Sequence, residues 1–166
     1  MKNQSIPLRY GFGISVLLII YFLLLSAVGL HTQPLFSLVN GLITGAGIYF
    51  SIKSYRAYKK DKFKYQKGFM AGIITGFFAT LIFTLFFGIY ATNIDQTFAT
   101  ELLESWKTDY NTGLGLLLFV VAVMGFATTI VLTLAFMQLF KDSWNTKAGK
   151  KHTISDENSA TEIKNG

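Results

Sequence analysis

The side chains able to do chemistry fall in four places in this sequence, and each suggests a different ligand or reaction. His31 and His152 are the only histidines. A general base or metal ligand needs convergent partners, and long apolar stretches separate these two. Asp95, Glu101, Glu104 and Asp109 share one polar stretch and offer oxygens that suit a hard cation, although acidic residues at such spacing equally serve to solvate a loop. Asn40, Thr75, Thr80 and Thr129 lie inside apolar segments, where they could line a cavity for a passive or lipid-like substrate. The plainer reading is that an amide hydrogen-bonds a neighbouring helix and that Thr hydroxyls bond their own backbone; Tyr21 falls under the same reading as Asn40. The fourth place is the run Ser51 to Gly68, where Lys53, Arg56, Lys59, Lys60, Lys62, Lys64 and Lys67 face a single acid, Asp61, with Tyr58, Phe63 and Tyr65 between them. Such a run suits phosphate, whether of nucleic acid or of anionic lipid headgroups.

Several chemistries are missing. The chain has no cysteine, hence no thiolate nucleophile and no Cys-based metal site. No HExxH, GxSxG, Walker or EF-hand pattern occurs. Neither an enzyme nor a cofactor is expected.

The elements that must position these residues are apolar all round. Of 166 residues, 51% are hydrophobic and 14% charged, and 16 are Phe, at the membrane edge of the usual range. Lys, Arg, Asp and Glu are absent from Tyr10 to Ile52, from Gly68 to Ile94 and from Tyr110 to Phe140. A soluble helix needs a charged face opposite its apolar one, and these stretches have none. Crossing a hydrocarbon core about 30 Å thick takes about 20 helical residues, which predicts four spans: Gly11 to Leu30, Leu35 to Ile52, Gly68 to Tyr90 and Gly113 to Phe140. Ile48, Ile52 and Tyr55 keep one face of the second apolar beyond its end, so that helix is expected to continue past the membrane surface. The first run exceeds the 7–15 residues of a signal h-region, so it is expected to be retained despite the small residues at Ala27-Val28-Gly29.

Lys and Arg collect in short cytoplasmic loops. Across four crossings, 14 of the 15 basic residues fall on one side, Lys107 being the exception. Both termini are therefore expected to be cytoplasmic, with the basic run acting chiefly as a topology determinant and not as a nucleic-acid site. Tyr10, Tyr55, Tyr58, Tyr65 and Trp144 would form the inner aromatic belt, and Tyr90, Trp106 and Tyr110 the outer one. Pro34 suits the first position of a helix, making the first two helices an antiparallel hairpin. Ile94, Phe98, Leu102 and Trp106 recur every fourth residue, which predicts a short amphipathic helix in the second outer loop. Residues 141–166 read as a polar tail, disordered beyond Trp144, after a transmembrane domain of residues 1–140.

Small residues recur every fourth position in the third segment, at Gly68, Gly72, Gly76, Thr80, Thr84 and Gly88. Close backbone approach over such residues is a main source of attraction between helices in lipid. The second segment adds Ser37, Gly41 and Gly45, and the fourth Gly125, Thr129 and Thr133. A four-residue repeat drifts about 40° per step on a helix of 3.6 residues per turn, so the six positions are not expected all to face one straight neighbour. The pentapeptide Gly41-Leu42-Ile43-Thr44-Gly45 is echoed by Gly72-Ile73-Ile74-Thr75-Gly76; a duplicated two-helix half would pair segment one with three, so the echo reflects shared packing chemistry.

Three stretches, Tyr10-Gly11 at the start of the first helix, "SIKSYRAY" at the end of the second and "YQKGFMAGIITGFFATLIF" leading the third, resemble the bacterial membrane proteins grouped as domain of unknown function 4199, over roughly Lys2 to Phe140. The resemblance implies a small four-helix inner-membrane protein and assigns no activity and no site residues. The expectation is thus an all-α integral membrane four-helix bundle of the bacterial inner membrane. It would act as a non-enzymatic structural or interaction protein through its glycine-rich faces, as a homo-oligomer or in a larger complex. The alternative is a small passive transporter or lipid-handling protein without a proton relay, since no ionisable residue lies inside a span.

Overall fold

The computed structural model describes residues 5–30, 34–60, 63–94 and 113–140, apart from the side chains of Pro34 and Ser37. Those residues form four long α-helices and no strand: α1 (Ser5–Ala27), α2 (Pro34–Lys59), α3 (Tyr65–Ile89) and α4 (Leu114–Leu139). Lys2, His31, Lys62, the amphipathic segment expected around Phe98 to Tyr110, and the tail all lie outside the described residues.

Local chemistry accounts for the helix ends. α1 stops short of the expected Leu30 because Gly29 adopts a φ of 73°. The amide of Leu30 then bonds the Leu25 carbonyl at 2.9 Å and that of Gly29 the Ser26 carbonyl at 3.0 Å, a glycine-closed helix end. α2 starts at Pro34 and runs seven residues past the expected Ile52. No Gly or Pro occurs between Ile52 and Lys59, and its buried face continues through Ile48, Ile52 and Tyr55. The basic run is accordingly helical in part: Lys53, Arg56 and Lys59 ride on α2 and Lys67 on α3, while Lys60 and Lys64 lie between the two helices. α2 ends where Lys60 turns to a φ of 46° and its carbonyl accepts the Phe63 amide at 3.1 Å. At its other end α3 continues as a π-helical turn, Tyr90–Ile94, which keeps both Tyr90 and Ala91 buried.

The helices alternate in direction. α3 is central and packs on α1, α2 and α4, while α2 also touches α1 and α4. Three apolar clusters stack along the bundle. Ile48, Ile52 and Met137 occupy the end near the basic residues, Ile14, Leu18 and Ala79 the middle, and Phe22, Phe87, Tyr90 and Leu117 the far end. Phe22 anchors the last, set edge-on to Phe87 and Tyr90 at centroid distances of 5.7 and 4.9 Å.

The outside is as apolar as the inside. Leu24, Leu42, Leu85, Phe119 and Val131 are all well exposed, a surface that water does not tolerate over whole helices and that lipid does. Among the described residues three helices, Ser5–Val28, Tyr65–Ile94 and Leu114–Leu139, are long and apolar enough to cross a membrane. Among the described residues every charged side chain is Arg or Lys (Arg9, Lys53, Arg56, Lys59, Lys60, Lys64 and Lys67), and the helix directions gather them at one end.

Candidate functional site

Four-residue spacing on α3 meets four-residue spacing on α4, running in opposite directions. A Cβ added at Gly72 would lie 2.6 Å from Thr133 Cγ2, one at Gly76 would overlap Thr129, and on the other side of the seam one at Gly125 would lie 2.5 Å from Thr80 Cγ2. Each contact sets a Thr methyl and hydroxyl on a glycine Cα, the approach at which weak Cα–H···O contacts recur between helices. The drift of the repeat is visible at the seam's ends. A Cβ at Gly68 would run first into the ring of Phe63 and only then meet the tip of Met137 at 3.1 Å, and one at Gly88 would meet the tip of Leu118 at 3.2 Å. Thr84 keeps a buried hydroxyl with no partner among the described residues, as does Thr133.

The other flank of α3 is tied by hydroxyls. Thr75, fully buried, donates to its own helix at the Ala71 carbonyl (2.8 Å), stands 2.7 Å from Ser51 Oγ on α2 and 3.2 Å from the Pro7 carbonyl on α1. One atom thus touches three helices. Tyr10 and Ser54 share a 2.7 Å hydrogen bond between α1 and α2, and Tyr21 donates to the Phe36 carbonyl at 3.0 Å. At the far end Ser26 and Tyr90 join α1 to α3 at 2.5 Å. Two further glycines allow the close approach, Gly11 against the Thr75 carbonyl and Gly47 against Ile14.

The four residues considered as a cavity lining are not gathered. Thr75 turns to α1 and α2, whereas Thr80 and Thr129 lie in the α3–α4 seam, with Thr129 donating to the Gly125 carbonyl at 2.9 Å. The cause is angular, since five residues separate Thr75 from Thr80 and place them about 140° apart on the helix. Asn40 sits on α2 with its Oδ1 buried and without a partner among the described residues.

Gly41 and Gly45 behave unlike the glycines of α3. A Cβ at Gly45 would meet Leu132 and Phe136 at ordinary distances of 3.6 and 3.7 Å, and one at Gly41 would meet nothing within 4 Å among the described residues. Toward the basic end the α2–α4 contact becomes aromatic, with Tyr49 5.6 Å from both Phe136 and Phe140 between ring centroids. Arg56 donates through Nη1 to the Phe140 carbonyl at 3.2 Å, closing the C-terminal end of α4 as a cation should, and lies over the rings of Phe63 and Phe140. Lys53 and Lys59 lie over tyrosines, Lys53 Nζ 5.9 Å from the centre of Tyr49. Lys60, Lys64 and Lys67 are exposed.

Sequence reasoning gave no packing role to Ser51, Ser54, Pro7, Gly11 or Gly47, although Gly11, Ser51 and Ser54 fall in the stretches that carry the family resemblance. A signal existed for some of them: Gly11 and Ser15, like Gly47 and Ser51, are small residues four apart. No group of three or more His, Asp or Glu that could hold a metal occurs among the described residues; Asp95, Glu101, Glu104 and Asp109 lie outside them.

In comparison with known proteins, the family described as protein of unknown function (DUF4199) matches residues 9–113. The match is shorter than the stretch over which the resemblance was read, and it stops just before α4 begins. No curated protein and no solved structure matches the chain.

Proposed function

The chain belongs to the DUF4199 family, and from that premise we propose that it is a multi-pass protein of the bacterial cytoplasmic membrane, with four crossings and both termini inside, acting as a non-enzymatic structural or interaction protein. The observation that carries this reading is the use made of the polar and small residues of α3. Thr75 is committed to Ser51 and Pro7, and Gly72, Gly76 and Thr80 to Thr133, Thr129 and Gly125. The glycine-rich face therefore builds the bundle itself, and association with another copy or a larger complex falls to the exposed apolar faces. The orientation follows from the gathering of Lys and Arg at one end, which belongs in the cytoplasm.

Lipid handling is the second reading, favoured by Gly41, where an added Cβ would meet no described residue. Single cysteines in this cysteine-free chain test both. With an impermeant thiol reagent, Ser105→Cys labels in intact cells and Lys62→Cys only after the cells are opened; the reverse pattern refutes the orientation. Thr80→Cys stays silent throughout, and its labelling would establish an aqueous path and move the reading to transport.

A further inference from the structure

We propose that α4 is a sliding helix, able to move one helical turn along α3, toward the end away from the basic residues, into a second register of the same seam. Arg56 holds it in the present one.

The first observation is the repeat on both sides of the seam. In the present register Met137, Thr133, Thr129 and Gly125 of α4 meet Gly68, Gly72, Gly76 and Thr80 of α3. Displaced by four residues, about 6 Å at 1.5 Å per residue, the same four would meet Gly72, Gly76, Thr80 and Thr84, and Val121 would meet Gly88. Met137 and Thr133 would find glycine again, and Gly125 would find threonine again. Thr129 alone would exchange its glycine, for Thr80, whose hydroxyl can pair with its own. A shift in the opposite direction has no such match, because it sets Val121 and Leu117 on Thr80 and Thr84.

The second observation is independent of spacing. Thr133 is fully buried, with its hydroxyl turned into the seam, 2.9 Å from where a Cβ of Gly72 would lie. That hydroxyl has no hydrogen-bond partner among the described residues, and neither has that of Thr84, while Thr129 donates within its own helix. Size complementarity thus holds the seam, and a buried hydroxyl left unbonded weakens the register that leaves it so. α4 also has little to hinder travel. It is the least buried of the three long apolar helices, and it carries no charge to be drawn into hydrocarbon. What resists the step is the stacking of Phe77 on Phe126 at 4.5 Å, the ring contacts of Tyr49 with Phe136 and Phe140 and the bond from Arg56 to the Phe140 carbonyl. These make the second register the minor one. Packed helices switch by whole turns because interdigitated surfaces have discrete positions.

Cysteine pairs in the otherwise cysteine-free full chain, oxidised in isolated membranes and scored by the thiols left for a maleimide mass tag, read the register directly. Thr80→Cys with Gly125→Cys reports the present one, since a Cβ at Gly125 would lie 3.3 Å from Thr80 Cβ, close to the spacing of a disulfide. Gly88→Cys with Val121→Cys reports the shifted one. Thr80→Cys with Val121→Cys, displaced by the same turn in the opposite direction, reports undirected looseness. The first pair should close fully, the second in a minor fraction of molecules, and the third not at all. Adding Arg56→Gln should speed closure of the second pair about fivefold, the worth of one interhelical hydrogen bond, and leave the third unchanged. Equal closure of the second and third pairs would reduce the motion to random fluctuation and overturn the slide, and so would an open second pair in both backgrounds. Circular dichroism of each variant excludes unfolding as the source of closure, and the pairs with Arg56 intact carry the test even where Arg56→Gln fails to fold.

Discussion

Two pentapeptides of almost the same sequence, Gly41-Leu42-Ile43-Thr44-Gly45 on α2 and Gly72-Ile73-Ile74-Thr75-Gly76 on α3, have opposite environments. The α3 copy is closed over its small residues, with Gly72, Thr75 and Gly76 all buried. Its glycines press on Thr133 and Thr129 and its Thr75 reaches two other helices. The α2 copy has a buried glycine, Gly45, in ordinary contact and one, Gly41, whose added Cβ would meet no described residue. A small-residue spacing permits close approach but does not produce it; the partner helix must bring matching residues at matching intervals. α4 presents Thr133, Thr129 and Gly125 every fourth residue to α3, and the bulkier Leu132 and Phe136 to α2. Those side chains hold α2 away.

The contrast can be broken most forcefully at Gly76. Gly76→Val would drive a branched side chain into Thr129, and overpacking of this kind costs about 3 kcal/mol, read as a large fall in the thermal unfolding midpoint in detergent. The reciprocal exchange sharpens the point. Because the seam already reverses its order at Thr80 and Gly125, Gly76→Thr together with Thr129→Gly should recover most of what Gly76→Thr alone loses; no recovery would mean that the fit depends on more than paired size.

A smaller effect is expected on the hydroxyl-tied flank. Thr75→Val keeps the shape but leaves Ser51 without its partner, at a cost of about 1 kcal/mol, the scale of interhelical hydrogen bonds in membranes. A double-mutant cycle with Ser51→Ala should return most of that figure as coupling, and additive losses would refute the link. The smallest effect has the opposite sign. With no described residue within 4 Å of a Cβ at Gly41, Gly41→Ala should raise stability by about 0.5 kcal/mol through helix propensity, whereas the same change at Gly72 should lower it. A fall at Gly41 would show that α2 and α4 close in the membrane.

Much of this molecule was decided locally and is legible in the chain. The runs without charge specify the helices, Pro34 starts α2, and Gly29 closes α1 because only glycine takes its φ without strain. The clustering of basic residues follows once the helices alternate in direction. The length of α2 was legible in Ile48, Ile52 and Tyr55, since a buried face that continues in register carries the helix with it. Which polar residues meet was not legible. Tyr10 with Ser54, Ser51 with Thr75, and Ser26 with Tyr90 lie 44, 24 and 64 residues apart, and nothing in the local pattern selects them. Tertiary structure likewise decided that one glycine pentapeptide is sealed and the other open, because the identity and angle of the neighbouring helix, not the spacing of the glycines, set how near two backbones can come.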